Sequence, residues 1–282
     1  MHGTRLVVLM ALASACTQAQ WLNYIPTGTP RLPDGKPNLS APAPRALDGH
    51  PDLSGVWIHE TTSLEEWKRI LGKRYDDLRK TEIPGMEVGT VHKYNFNILV
   101  DQPEGEALVR PEAAAVRQQH MAQRDVSRVC TGVPGRFPSG LVSEPIKIFQ
   151  SPQVTLILYE TSTNLCRQIF TDGRVLPAEF DLPAFMGYSA GHWEKDTLVV
   201  ETAGFNDRTA LDGSGHYHSD ALHVTEHFHR RDFGTLDIEM TFDDPKTYTH
   251  PFTVKIPYNL IADNDIFEMY CDNEKDAIHL KN

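Results

Sequence analysis

From Pro145 to Cys271 the chain alternates apolar and polar side chains in short runs: IKIFQ, VTLILYE, CRQIFTD, MGYSAGHWE, DTLVVETAG, ALHVTEHFHR, TLDIEMTF, PFTVKIPY and DIFEMYC. Runs of this length, rich in β-branched and aromatic residues and broken by Gly, Pro and Asp, predict strands. Nine of them argue for an all-β domain, an antiparallel, calycin-like barrel or a strongly curved sandwich. No fixed period marks a propeller or solenoid. Upstream the period lengthens. Ser63-Leu-Glu-Glu66 reads as a capping box opening the helix TSLEEWKRILGKRYDDLRK, with Leu64, Trp67, Ile70 and Leu71 on one face. Pro111 opens a second helix, PEAAAVRQQHMAQR, and both are expected to pack outside the strands. Asp52-Leu-Ser-Gly-Val-Trp57 is a further apolar strand start.

Two segments precede that domain. Arg5 followed by LVVLMALASA is a single charge before an apolar run too short to span a bilayer, which reads as a signal peptide over 1–19. Cleavage after Ala19 places Thr17 and Ala19 where the peptidase reads small residues and leaves Gln20 first. Cys16 suggests lipoprotein anchoring as the alternative, although Ala13 stands where that signal prefers Leu. Residues 20–51 carry seven prolines and no periodicity, the pattern of an extended arm. Residues 52–282 then form a single domain, secreted or periplasmic, with no other stretch apolar enough to span a membrane.

Charge narrows the partners. The chain of 282 residues has 27 Lys+Arg against 38 Asp+Glu, or −11, and loss of Arg5 with the leader makes it 26 − 38 = −12. Such a surface repels phosphate, which disfavours nucleic acid and anionic membrane and favours a small neutral, cationic or apolar organic molecule. Export also lets thiols pair. Of Cys130, Cys166 and Cys271, the apolar setting NLCRQIF reads Cys166 as a buried core thiol, leaving Cys130 and Cys271 as the expected bridge. Its loop of about 140 residues corresponds to roughly 4–5 kcal/mol in the chain-entropy account.

One hairpin can be registered. Asp232-Phe233-Gly234 matches a three-residue connection with Gly left-handed, which sets His229 opposite Asp237 and His227 opposite Glu239. Leu222, Val224, Glu226 and Phe228 then share the core face with Leu236, Ile238, Met240 and Phe242. The five histidines of GHYHSDALHVTEHFH invite a metal, but this register turns His227 and His229 outward onto carboxylates, as solvated ion pairs. His216 and His223 read only weakly as ligands, so no metal site is expected. His218, in the loop before the strand, is a candidate general base or plain loop cap.

Charges aimed at the apolar side are the sharper signal. Glu226 lies between Val224 and Phe228, Glu201 beside Val199, and Arg167 beside Ile169. A buried charge needs a partner, so these side chains are expected to meet, either as a network fixing register or as the lining of a reactive cavity. Tyr188, Asn206 and Asp207 are candidate polar contacts to a ligand, against readings as core tyrosine and turn residues. Ser189 lacks the setting of a lipase elbow. No phosphate loop, dinucleotide fingerprint, C-x-x-C or haem motif is present, so no cofactor is expected.

The motifs DLSGVW at 52–57, RQIFTDGR at 167–174, GYSAGHWEKDTLVVETAGFND at 187–207, HSDALHVTE at 218–226 and DDPKTYTHPFTV at 243–254 give the chain a resemblance, from Asp48 to Leu280, to a large family of exported proteins of acidobacteria and some proteobacteria. The resemblance implies export and names no activity. His218, Glu226, Cys130 and Cys271 match the family pattern, whereas the family usually has Arg at positions 227 and 229 and Cys166 is particular to this chain. Two functions are therefore expected to compete. One is a cofactor-independent lyase or hydrolase acting on a small molecule such as a sugar derivative, with His218 and Glu226 exchanging protons and Arg167 stabilising an anion. The other is a non-catalytic exported ligand-binding or envelope protein.

Overall fold

Strands that bury every second side chain need a second apolar surface, and here the sheet supplies it by curling onto itself. The computed structural model describes residues 26–75, 92–123, 144–160 and 166–267, and its nine strands form one closed barrel in chain order. They are β1 (Gly55–His59), β2 (Ile146–Gln150), β3 (Val154–Tyr159), β4 (Cys166–Phe170), β5 (Tyr188–Glu194), β6 (Thr197–Ala203), β7 (His223–Arg230), β8 (Thr235–Asp243) and β9 (Phe252–Leu260). Inward residues such as Trp57, Ile148, Ile157, Ile169, Leu198, Val200, Val224, Phe228, Met240 and Ile256 make one buried core.

The all-β barrel is the expected class, with two corrections. The ninth strand is not DIFEMYC: residues 265–267 are not strand, and 268–271 lie outside the described residues. Instead the DLSGVW segment supplies β1, which pairs with both β2 and β9 and closes the barrel. Nor is the sheet wholly antiparallel. β4 and β5 run parallel through only two residue pairs, Ile169 with Ser189 and Phe170 with Ala190. Residues 171–187 carry the chain back along the barrel, where an antiparallel pair would need a hairpin. Gly204 ends β6 at φ 76°, and a Cβ there would meet the Phe180 ring of this crossover at 2.5–2.8 Å.

The β7–β8 register is the one expected, with His229 opposite Asp237 and His227 opposite Glu239. Gly234, however, is not left-handed. Its lack of a side chain admits the arm: a Cβ would stand 2.5 Å from Leu39 Cβ, and the Gly234 and Phe233 amides donate to the Leu39 and Ala41 carbonyls, both at 2.7 Å. The outward ion pairs also differ from expectation. Asp237 is taken by the longer Arg231 and Lys255 at 3.3 and 3.8 Å, His229 lies 3.4 Å from Thr197 Oγ1, and His227 Nδ1 has no partner among the described residues.

Helices lie outside the barrel: α1 (Leu64–Leu71), α2 (Lys93–Phe96), a 3-10 turn (Gly105–Leu108) and α3 (Pro111–Gln123). Ser63 caps α1 by accepting from the Glu66 amide, as the capping box predicts, and Gly72 ends it at φ 52°. Trp67 and Leu71 pack with Tyr75, while Leu64 is 56 % exposed and does not join that face. From residue 26 the arm has only isolated bridges and is pinned along the barrel. Arg31 pairs with Asp263, Arg45 holds both oxygens of Asp196 at 2.6 and 2.8 Å, and His50 stacks on Trp193 at 4.6 Å. Arg230, buried at the end of β7, donates to the carbonyls of Asp52, Ser54, Asp232 and Phe233 and lies over Trp57.

Candidate functional site

The buried charges meet. Alternation in β4 turns Arg167 inward, and alternation in β7 does the same for Glu226; they are 7 % and 3 % exposed. Arg167 Nη1 donates to Glu226 Oε1 at 2.9 Å, and Nη2 donates to Oε2, a bidentate fork. The same guanidinium donates through Nε to Ser189 Oγ at 3.1 Å and through Nη2 to Thr202 Oγ1 at 2.8 Å. Two carboxylate oxygens and two hydroxyls thus answer four of the five N–H groups of the arginine. Tyr159 lines the space beside the pair. Burial opposes the charge on Arg167, but Glu226 more than offsets it, and the arginine pKa is raised.

These partners span four consecutive strands: Arg167 on β4, Ser189 on β5, Thr202 on β6 and Glu226 on β7. They straddle the β4–β5 junction, the shortest ladder in the barrel. Side-chain hydrogen bonds there do what backbone bonds do elsewhere. The space beside the pair is small, about 10 Å³, lined by Ile146, Ile157, Phe228, Ile238 and Met240 with Tyr159, Arg167, Glu226 and Tyr258. That volume is close to the minimum for one water, and no organic substrate fits.

His218 is elsewhere. It is fully buried in the loop before β7, 2.6 Å from Thr209 Oγ1 through Nε2 and 3.1 Å from the Ser219 carbonyl through Nδ1. A carbonyl can only accept, so Nδ1 carries the proton and Nε2 accepts from Thr209. Burial lowers the His218 pKa, in keeping with a neutral ring. Both nitrogens are committed, and neither the cavity lining nor the Arg167 network includes this residue. Its neighbour His216 is clasped between buried Asp212 at Nδ1 and Glu106 at Nε2, the latter 3.1 Å away. Among the described residues no group of three or more His, Cys, Asp or Glu gathers as metal ligands.

The remaining candidates separate. Glu201 was expected to face inward and instead stands exposed, because Leu198, Val200 and Thr202, not Val199, mark the inward face of β6. Tyr188 is 41 % exposed, stacked on Phe180 and donating to the Leu182 carbonyl at 2.7 Å, so its hydroxyl does not enter the barrel. Asn206 forms a turn, its Oδ1 accepting from the Arg208 amide, with Asp207 exposed beside it. Cys166 is an exposed free thiol and not a core residue, since alternation points its neighbour Arg167 inward. Cys130 and Cys271, like the leader with Cys16, lie outside the described residues.

Ser189, Thr202, Tyr159 and Tyr258 were not singled out from the sequence as members of the network or its cavity. Hydroxyls at inward strand positions leave little trace in a hydropathy pattern, and only the position of Arg167 opposite them would have marked them. A larger space lies outside the barrel. A groove of about 310 Å³ separates the arm from the β2–β3 turn, lined by Arg45, Leu47, Asp48, Asp52, Gln150 and Ser151 among others. No helix among the described residues is long and apolar enough to cross a membrane. Comparisons with protein-family models, curated proteins and solved structures returned no match to this chain.

Proposed function

We propose that this protein is an exported, non-catalytic binder of small molecules, in which Arg167 and Glu226 close the barrel and the ligand sits outside it. The contrast in volume carries this reading: about 10 Å³ beside Glu226 against about 310 Å³ in the groove between arm and barrel. A lyase or hydrolase working from Glu226 needs a substrate within hydrogen-bond reach of its carboxylate, and the lining side chains leave no room for one. His218 as its proton partner would need a free ring nitrogen, and both are bonded.

The groove's chemistry suggests the ligand class. Asp48 and Asp52 supply carboxylates, while the Gln150 amide is held by the Leu53 amide and the Pro51 carbonyl, the Ser151 hydroxyl by Val154 and Arg45 by Asp196. An amine-bearing molecule matches those carboxylates and the net negative charge. Export rests on the leader, and the family resemblance supports it. The test is a thermal-shift titration with spermidine and with glucosamine. Either probe should stabilise the wild type and Glu226→Gln alike and leave the Asp48→Asn/Asp52→Asn double variant unmoved, since Asn keeps the turns that both aspartates form. Absence of a shift with both probes, or turnover of nitrophenyl glycosides and esters abolished by Glu226→Gln, overturns the reading.

A further inference from the structure

The small space on the barrel axis is lined by both apolar and polar groups. Tyr258, from β9, is 3 % exposed and lines it together with Glu226. Its ring packs edge-on to His59, and its hydroxyl makes no side-chain hydrogen bond among the described residues. Burial, then Tyr159 and Glu226, keep that hydroxyl protonated well above the usual phenol range, so it can donate. A donor beside a small space, with no protein acceptor, is satisfied by water. Across the space, the Glu226 carboxylate has about four lone-pair positions, of which the Arg167 fork uses two. The volume of about 10 Å³ matches one water and excludes two. Cavities that stay dry are apolar, and the lining of this space is partly polar.

We infer that the barrel holds one internal water molecule, which accepts from the Tyr258 hydroxyl on β9 and donates to the Glu226 carboxylate on β7. The water extends the Arg167 network across the lumen, tying β9 to β4, β5, β6 and β7. It is independent of where any ligand binds.

A high-resolution crystal structure of the full chain tests the placement, and oxygen-17 relaxation dispersion counts long-lived waters in solution. The expected result is one ordered peak within hydrogen-bond distance of both Tyr258 Oη and a Glu226 oxygen. Tyr258→Phe should lose that peak and lower the count of long-lived waters by one. Ile238→Val, which enlarges the same space without touching a polar group, should keep it. An unfilled cavity in the wild type, a cavity that takes up xenon under pressure, or an unchanged water count in Tyr258→Phe overturns the inference.

Discussion

Glu226→Gln isolates what the buried pair contributes. Gln is nearly the same shape, so packing against Phe228 and Met240 survives, but the carboxylate that answers two donors of Arg167 becomes a neutral amide with one acceptor. The guanidinium, 7 % exposed, is left without its counter-charge. Removing one partner of a buried ion pair costs about 3–5 kcal/mol. In a domain of this size each kcal/mol lowers the midpoint by roughly 2–4 °C, so a fall of about 6–20 °C is expected. Arg167→Met should cost about as much, because it strands the carboxylate. The double variant Arg167→Met/Glu226→Leu should recover most of the loss, since apolar replacement of a whole buried pair is often neutral. Its residue of cost comes from Ser189 and Thr202, which keep their mutual bond at 2.9 Å but lose the arginine. Urea unfolding of the wild type, Arg167→Met, Glu226→Leu and the double variant as a double-mutant cycle measures the coupling. Single-variant losses below about 1 kcal/mol, or additive losses in the double variant, would refute the view that this pair seals the barrel.

Two further outcomes follow from other parts of the molecule. Burial lowers the pKa of His218, and burial with the fields of His59 and Lys93 lowers that of His92 to about 3. The unfolded chain therefore binds more protons than the folded one below the ordinary histidine value of about 6.5, and stability should fall as pH drops below that value. Each ring adds a slope of up to about 1.4 kcal/mol per pH unit, so His92→Asn, which keeps a capping acceptor for the Tyr94 amide, should flatten the urea midpoint between pH 6.5 and 4; an unchanged slope contradicts the assignment. Gly234→Ala would drive a Cβ to 2.5 Å from Leu39 and loosen the arm, with a cost of about 1–3 kcal/mol and faster proteolytic cleavage within residues 26–50, whereas wild-type cleavage rates would show that the arm is not held there.

Much of the barrel was legible because strand alternation is a local property. β7 and β8 are the clearest instance: one short loop and one apolar face fixed their register, which also aimed Glu226 inward. Arg167 could be placed by the same rule. Glu201 could not, because β6 has three buried residues in succession, Leu198, Val199 and Val200, so hydropathy alone does not say which face is inside. The parallel β4–β5 pairing was illegible for a different reason: residues 171–187 have no regular pattern, and direction depends on where the chain re-enters the sheet. The role of Gly234 was equally hidden, since it depends on Leu39, far away in sequence. For His218, chemistry consistent with catalysis and chemistry consistent with a satisfied loop histidine look the same until its two acceptor and donor partners are seen.

The two-pair junction between β4 and β5 leaves the rest of both strands with open edges. Such edges are templates on which a second chain can add a strand and begin aggregation. Beyond Ala190, β5 carries His192 and Glu194, with Lys195 following, and charge of this kind discourages docking by another copy. The guanidinium can join the two strands inside the barrel but cannot cover their backbone outside it, so the guard against self-association falls to these edge charges.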